Sequence, residues 1–271
     1  GVYFSPFATD LSLDELEDRK VAGTDYTFSD IVLRNDEGDM YSPVNSRYPL
    51  DVTHPGTKAY YKAELKELIS CGFKCIKLHY LTHGALEGDF YNDEIITGIQ
   101  AYNYAMKDVC KIIGNKVCIS MVTSPVFPYC YANAKRICGD TYSDIKETEN
   151  MLNALTYGFW QSRFSDYLDC DHVVLWGSEG NTSYKAAKSR LLSAIVTGGS
   201  FITGDNFVYP EGDSEKAAER FKKLLSDEKI LALLSNAEAF EPRVEKVPSK
   251  ASEAFSYMGE KGAYVAAFNY S

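Results

Sequence analysis

The sequence lacks a C-x-x-C pair, and its seven cysteines (Cys71, Cys75, Cys110, Cys118, Cys130, Cys138 and Cys170) are odd in number, which disfavours a disulfide framework or a zinc cage. Their positions inside apolar runs predict buried free thiols acting as small hydrophobes, and free thiols favour a reducing, cytoplasmic setting. No G-x-G-x-x-G follows a candidate strand, so a dinucleotide-binding fold has no support. No stretch approaches the roughly 18 apolar residues of a membrane span, and no signal-peptide pattern opens the chain, so a soluble protein without a membrane partner is expected. Gly1 is not an initiator Met, which leaves targeting open. A concentrated basic footprint is also missing: the 28 basic residues are scattered among 38 acidic ones, giving a net charge of −10, and nucleic acid is not an expected partner.

What is present is an ordinary globular composition, 45% hydrophobic and 24% charged over 271 residues, enough for one large domain plus an appendage or for two small domains. Short β-rich runs alternate with helical stretches, the signature of a parallel α/β fold. Candidate strands are Val2–Pro6, Lys74–Tyr80, Val117–Val122, Ala134–Ile137, His172–Trp176 and Ser200–Thr203. Candidate helices lie near Thr57–Cys71, Asp93–Ile113, Ser143–Trp160, Ser183–Thr197 and Glu215–Leu225. A (β/α)8 TIM-type barrel is preferred over an open sheet. Thr24 to Asp51 is polar and lacks a crossover helix, so it is either an excursion beside a functional site or a loose insertion. After Pro242, Phe255–Met258 and Ala263–Phe268 flank a glycine-bounded turn and read as a hairpin. The expected division is therefore a barrel over residues 1–241 and the start of a C-terminal β domain over 242–271.

In a (β/α)8 barrel the reacting groups project from the carboxyl ends of the strands. Lys77 and His79 stand two apart at one such end and share a face. Arg136 and Asp140 close another candidate strand, Asp169 and Asp171 precede a third, and Asp205 follows the last. Singly, each is an ordinary strand-end or turn residue; together they mark one end of the fold.

Asp51-Val52-Thr53-His54-Pro55, followed by a helix and by Gly72-Phe73-Lys74-Cys75-Ile76-Lys77-Leu78-His79, resembles the "D-x-T-H-P … G-F-x-x-I-K-x-D" segment of α-galactosidase-type (melibiase-type) retaining glycoside hydrolases. Arg136-Ile137-Cys138-Gly139-Asp140 is similar to their "R-x-S-G-D" segment, His172–Leu175 to their "D-x-D-x-L" strand, Gly198–Asp205 to their last barrel strand and Gly1–Pro6 to their third. The resemblance implies that the first two βα units of the barrel precede this stretch and that the β domain is cut short behind it.

It further implies a double displacement on an α-linked, galactose-type sugar without a cofactor or a metal. One carboxylate attacks the anomeric carbon, and a second protonates the leaving oxygen and later activates water. Asp140 matches the acid/base, while Lys77 and Arg136 match sugar-contacting residues. Asp171 and Asp205 are further candidates for the substrate-facing rim. Among the aromatics, which also include Tyr129 and Tyr131, Trp160 and Trp176 are the candidates for stacking on a sugar. The nucleophile position is the exception, because it holds His79 where the family has Asp, and imidazole supplies no negative oxygen to an oxocarbenium-like transition state.

Three readings follow from His79. A single-base Asp-to-His exchange has removed activity; or the barrel has lapsed into a carbohydrate-binding protein; or Glu87 or Asp89, in the next loop, supplies the carboxylate. A metal-dependent hydrolase built on His79 and His83, with His54, His172, Asp140 and Glu179 elsewhere, is a further alternative. Only four histidines are present, and His79 and His83 are spaced four apart across a loop. Oligomeric state is not legible.

Overall fold

A computed structural model of the chain describes all residues except 143, 178–181, 200, 209–211, 237, 244–249, 261 and 271. The expected helix start at Ser143, strand start at Ser200 and turn residue Lys261 therefore lie outside the described residues. The fold is α/β, and the chain divides into two compact units, Gly1–Asn133 and Ala134–Ser271.

In the first unit, β1 (Val2–Phe4), β4 (Cys75–Leu78) and β5 (Cys118–Met121) form a parallel sheet with β4 in the centre. Alternation along each strand sorts the side chains onto two faces. Phe4, Ile76, Leu78, Ile119 and Met121 join the hydrophobic core with residues of α3 (Pro55–Ser70) and α4 (Gly98–Ile113). Tyr3 and Lys77 are register partners on the opposite face, as are Lys77 and Ser120. Helix α4 starts at a capping box made by Thr97 and Gln100 and ends at Gly114, whose φ of 70° suits glycine. Between these ends Ala101, Tyr102, Ala105, Met106 and Val109 recur at helical spacing and are buried on the sheet. Burying each of the larger apolar side chains is worth about 1.5–3 kcal/mol.

Between β1 and α3 the chain makes β2 (Ala8–Thr9), α1 (Leu13–Asp18), α2 (Phe28–Ile31) and β3 (Tyr48–Pro49), with β2 and β3 antiparallel. The polar stretch from Thr24 to Asp51 is thus a folded excursion. Phe28, Ile31, Val32 and Leu50 build a small core of their own with Leu16 and Val21.

In the second unit β6 (Ala134–Arg136) pairs in parallel with β7 (Tyr167–Asp169), and β8 (His172–Val173) with β9 (Ile202–Thr203). The expected strand His172–Trp176 is corrected to this two-residue β8, with β7 as an additional strand before it. Asp171 adopts a φ of 65°, which breaks the extended chain between the two, and the amides of residues 175–177 turn to the Asp205 carboxylate. Helices α5 (Ile145–Gly158) and α6 (Tyr184–Thr197) pack with Leu168 and Val173 in one core. Helices α7 (Asp213–Leu224) and α8 (Glu228–Ser235) follow, and α8 has no counterpart in the sequence reading. The expected hairpin forms as β11 (Ala254–Gly259) and β12 (Gly262–Ala267), joined by β10 (Glu241–Pro242) into an antiparallel sheet. Its Phe255 is fully buried in the same core as α5 and α6.

All seven cysteines are free, but the expectation that they are buried fails for most. Cys71 and Cys130 are exposed, Cys75, Cys110, Cys118 and Cys138 are half-buried, and only Cys170 is buried. Cys71 caps the exposed end of α3, where helix geometry rather than its apolar neighbours sets its surroundings. No helix among the described residues is long and apolar enough to cross a membrane.

Candidate functional site

The carboxyl ends of β1 and β4 bring Lys77, His79 and Tyr3 together in the first unit. The backbone of His79 continues the ladder by donating its N–H to the Phe4 carbonyl. Its ring lies on the Lys77 side of the sheet, with Nδ1 hydrogen-bonded to the Tyr3 hydroxyl at 2.7 Å. Burial raises the Tyr3 phenol above its ordinary pKa, which keeps it a neutral partner for the imidazole. Tyr80 follows in the left-handed region at φ 53°, and its ring meets the His79 ring edge-on at 4.2 Å.

The excursion contributes to this end of the sheet. The Arg47 guanidinium lies over the Tyr80 ring at 4.5 Å and pairs with Asp10 at 2.7 Å. A hydrogen bond to Tyr80, opposed by burial and aided by Asp10, raises the pKa of Arg47. Neither Tyr3 nor Arg47 stood out in the sequence, because both depend on pairing through space. Residues 24–51 are thus a folded element and not a loose insertion, and Arg47 sets it against Tyr80 after β4.

The remaining histidines of this unit and the loop carboxylate Glu87 have structural duties, while Asp89 is on the surface. His83 is buried, with Nε2 at 2.9 Å from the Val44 carbonyl, and burial lowers its pKa. His54 is the N-cap of α3, its Nδ1 accepting from the Gly56 N–H at 3.0 Å, and burial lowers its pKa as well. Glu87 accepts the Gly98 N–H at the start of α4 at 2.8 Å, and Asp89 is exposed, its backbone bonded to Arg34. Gly84 packs so closely on Phe7 that a Cβ there would stand 2.6 Å from the ring, which marks the loop after β4 as a packed turn. Among the described residues no three His, Cys, Asp or Glu side chains are grouped to hold a metal ion. Glu179 lies outside the described residues.

In the second unit Arg136, Asp140 and Asp171 meet at the carboxyl end of β6. Asp140 is 60% exposed; it accepts from Arg136 Nη2 at 2.6 Å and from the Tyr142 hydroxyl at 3.2 Å. Arg136 reaches Asp171 at 3.0 Å, and those two side chains are only 7% and 5% exposed. Burial alone would weaken the Arg136 charge, but the two aspartates offset it and raise its pKa. Burial likewise opposes ionisation of Asp171, yet His172, the Thr141 amide and Arg136 together hold its pKa down to about 2. A buried ion pair therefore fixes the guanidinium that orients the exposed Asp140 carboxylate. Tyr142, which the sequence did not single out, completes that orientation. Cys138, between Arg136 and Asp140, is driven by burial to about 12 and is a packing thiol.

Asp205 accepts the backbone N–H groups of Leu175, Trp176 and Gly177 at 2.6, 2.8 and 3.0 Å, so both of its oxygens anchor the chain after β8. The Trp176 indole donates to Asp213 at 2.9 Å, and Arg220 lies over its ring at 4.6 Å. Trp160 sits in the 3-10 turn Phe159–Arg163 that leads from α5 into β7. Because β6 and β7 are parallel, this turn is at the amino end of the strands, opposite Asp140.

No protein-family model matches the chain, and no curated protein does. Solved structures do match in fold. The α-galactosidase TtGalA from Thermus thermophilus, in complex with p-nitrophenyl α-D-galactopyranoside, is 19% identical at a TM-score of 0.61, covering 83% of this chain and 47% of that one. A GH27 β-L-arabinopyranosidase from Geobacillus stearothermophilus is 16% identical at a TM-score of 0.61, covering 95% and 59%. An isomalto-dextranase from Arthrobacter globiformis complexed with panose is 17% identical at a TM-score of 0.59, covering 94% and 46%. The chain shares the α/β fold of these glycosidases and spans about half the length of the structures it matches.

Proposed function

We propose that the chain is part of an α-galactosidase-like (β/α)8 barrel, residues 1–241, with a C-terminal β domain from residue 242. In this reading it binds an α-linked galactose-type sugar, with Asp140 as acid/base. The observation that carries the reading is the Asp140 carboxylate itself, exposed at the carboxyl end of a parallel strand and aimed by Arg136 and Tyr142. In a barrel the reacting groups gather where the strands end, and Tyr3, Lys77 and His79 share the face of β1 and β4 away from the helices at that end.

In the double displacement Asp140 gives its proton to the glycosidic oxygen as the bond to the anomeric carbon breaks, then takes a proton from the attacking water. Lys77 and Arg136 bind sugar hydroxyls or hold the carboxylate. The first half of the reaction needs a carboxylate oxygen beneath the anomeric carbon, and His79 stands at that position. Glu87 is committed to the Gly98 amide, so it is a poor substitute. The consequence is sugar binding with severely reduced hydrolysis; Trp160, at the far end of the strands, plays no part.

The test is calorimetric titration with galactose alongside turnover of an aryl α-galactoside. Galactose binding that is weakened by Asp140→Asn and Lys77→Met, with little turnover, is the expected result. Absence of galactose binding by the folded protein would overturn the sugar assignment, and rapid turnover by the parent would overturn the account of His79.

A further inference from the structure

The Asp51-Val52-Thr53-His54-Pro55 segment is not used by the proposed site, yet it is among the most heavily bonded parts of the first unit. Asp51 Oδ1 accepts from both the amide and the hydroxyl of Thr53 at 2.8 Å, and Asp51 Oδ2 accepts the Tyr91 amide at 2.8 Å. Thr53 Oγ1 accepts the Asn92 amide at 3.1 Å. The Tyr91 ring meets the ring of His54 edge-on at 4.6 Å, and His54 is itself fixed as the cap of α3. The segment therefore clamps residues 91 and 92 from below while the Tyr91 side chain remains 59% exposed.

Tyr91 borders an open groove of about 590 Å3 beside the first turn of α3, which Tyr104 of α4, 41% exposed, also lines. Lys58, Glu94 and Tyr104 also line a second depression of about 580 Å3 along α4, so the two adjoin. Both are open surface depressions, a shape that suits an extended chain better than a buried small molecule. The charges along them balance: Lys58, Lys107 and Lys111 face Asp93, Glu94 and Asp108. Asp108 is held by the Tyr61 hydroxyl at 3.1 Å and Lys58 at 3.2 Å. A lining whose charges balance, and to which Gln100 and Asn103 add neutral donors and acceptors, suits a neutral, hydroxyl-rich ligand better than an anion or an apolar peptide. Two exposed phenol rings offer flat apolar faces for the C–H face of a pyranose. The tandem depressions suit a chain of sugars over a single one.

We propose that this groove is a second carbohydrate-binding site, which holds a neutral polysaccharide chain on the helical side of the sheet, away from the face bearing Lys77 and His79. The inference rests on the proposed function for the kind of polymer, an α-galactosyl-bearing one. The probe is a galactomannan incorporated into a native gel, which reads binding as retarded migration, with free galactose titrated in parallel.

The parent is expected to be retarded, and the Tyr91→Ala/Tyr104→Ala double variant to lose affinity by about tenfold or more, as expected for two lost stacking contacts. The Tyr91→Phe/Tyr104→Phe variant, which keeps the ring faces, should retain most of the retardation and reports on any folding defect in the Ala variant. Asp140→Asn should weaken free galactose binding and leave retardation in place. No retardation of the parent, equal retardation of the Tyr-to-Ala variant, or loss of retardation in Asp140→Asn alone would each overturn the second site. Retardation that depends on the tyrosines in a protein that does not bind free galactose would support the groove and sink the proposed function instead.

Discussion

Replacing Asp51 by Asn tests the clamp most sharply, because it keeps the size of the side chain and removes one acceptor. Asp51 is buried and accepts three hydrogen bonds, two from Thr53 and one from the Tyr91 amide. An Asn can present its oxygen to only one of these partners' sides; its NH2 then faces a donor on the other. A hydrogen bond to a charged group contributes about 1.5–3 kcal/mol, and a buried donor left unpaired costs about 1–3 kcal/mol. These overlap and do not add, so Asp51→Asn is expected to cost about 2–3 kcal/mol, and Asp51→Ala, which removes all three acceptors, about 4 kcal/mol. In a chain of this size that is a fall of about 5–10 °C in Tm for the Asn variant. Asp36→Asn, at an exposed loop position, should stay within about 0.5 kcal/mol. Denaturant unfolding gives the energy, and hydrogen exchange locates it: the amides of Tyr91 and Asn92 should lose protection first. An Asn variant within about 0.5 kcal/mol of the parent, with those amides still protected, would refute the clamp.

The remaining predictions concern pH. Asp171 has its folded pKa near 2, below the ordinary 3.8, so its contribution to stability is present above about pH 4 and is lost as pH falls toward 2. Asp171→Asn should flatten that part of the acid unfolding curve, and an unchanged slope between about pH 4 and 2 would contradict the buried pair with Arg136. Lys135 is buried on β6, and burial lowers its pKa from 10.5 to about 8. The unfolded chain then binds more protons between those values, so stability rises with pH across that interval. Lys135→Met should be more stable than the parent at neutral pH, with the gap closing toward about pH 10; a gap that does not move with pH would sink the reasoning.

Local signals carried the regular elements, because each is encoded by its own residues. The apolar run around Ile76 and Leu78, and the helical recurrence of Ala101, Ala105 and Val109, place β4 and α4 without knowledge of their partners. β7 escaped because it is three residues long and only Leu168 joins the core. The nature of residues 24–51 stayed open in the sequence because their core residues, Phe28, Ile31, Val32 and Leu50, are spaced irregularly and come together with Leu16 and Val21 only in three dimensions.

The site divides in the same way. Strand-end position alone brought out Arg136 and Asp140, which the structure joins. It could not bring out Tyr3 beside His79 or Tyr142 beside Asp140, since those pairings arise from the fold. Asp205 shows the opposite failure, a strand-end carboxylate whose oxygens are taken up by three backbone amides. Trp160 was misplaced for a topological reason: a residue between a helix and the next parallel strand lies at the amino end of the sheet, however suited its ring is to a sugar.

The account stands most directly on position 79. Hydrolysis of 4-nitrophenyl α-galactoside should be measured for the parent, His79→Asp and His79→Asp/Asp140→Asn, each checked for folding by circular dichroism. The expected result is a large gain in kcat/KM for His79→Asp over the parent, retention of configuration in the product, and loss of the gain when Asp140 is also replaced. A folded His79→Asp variant no faster than the parent would contradict the assignment of this position as that of the missing nucleophile.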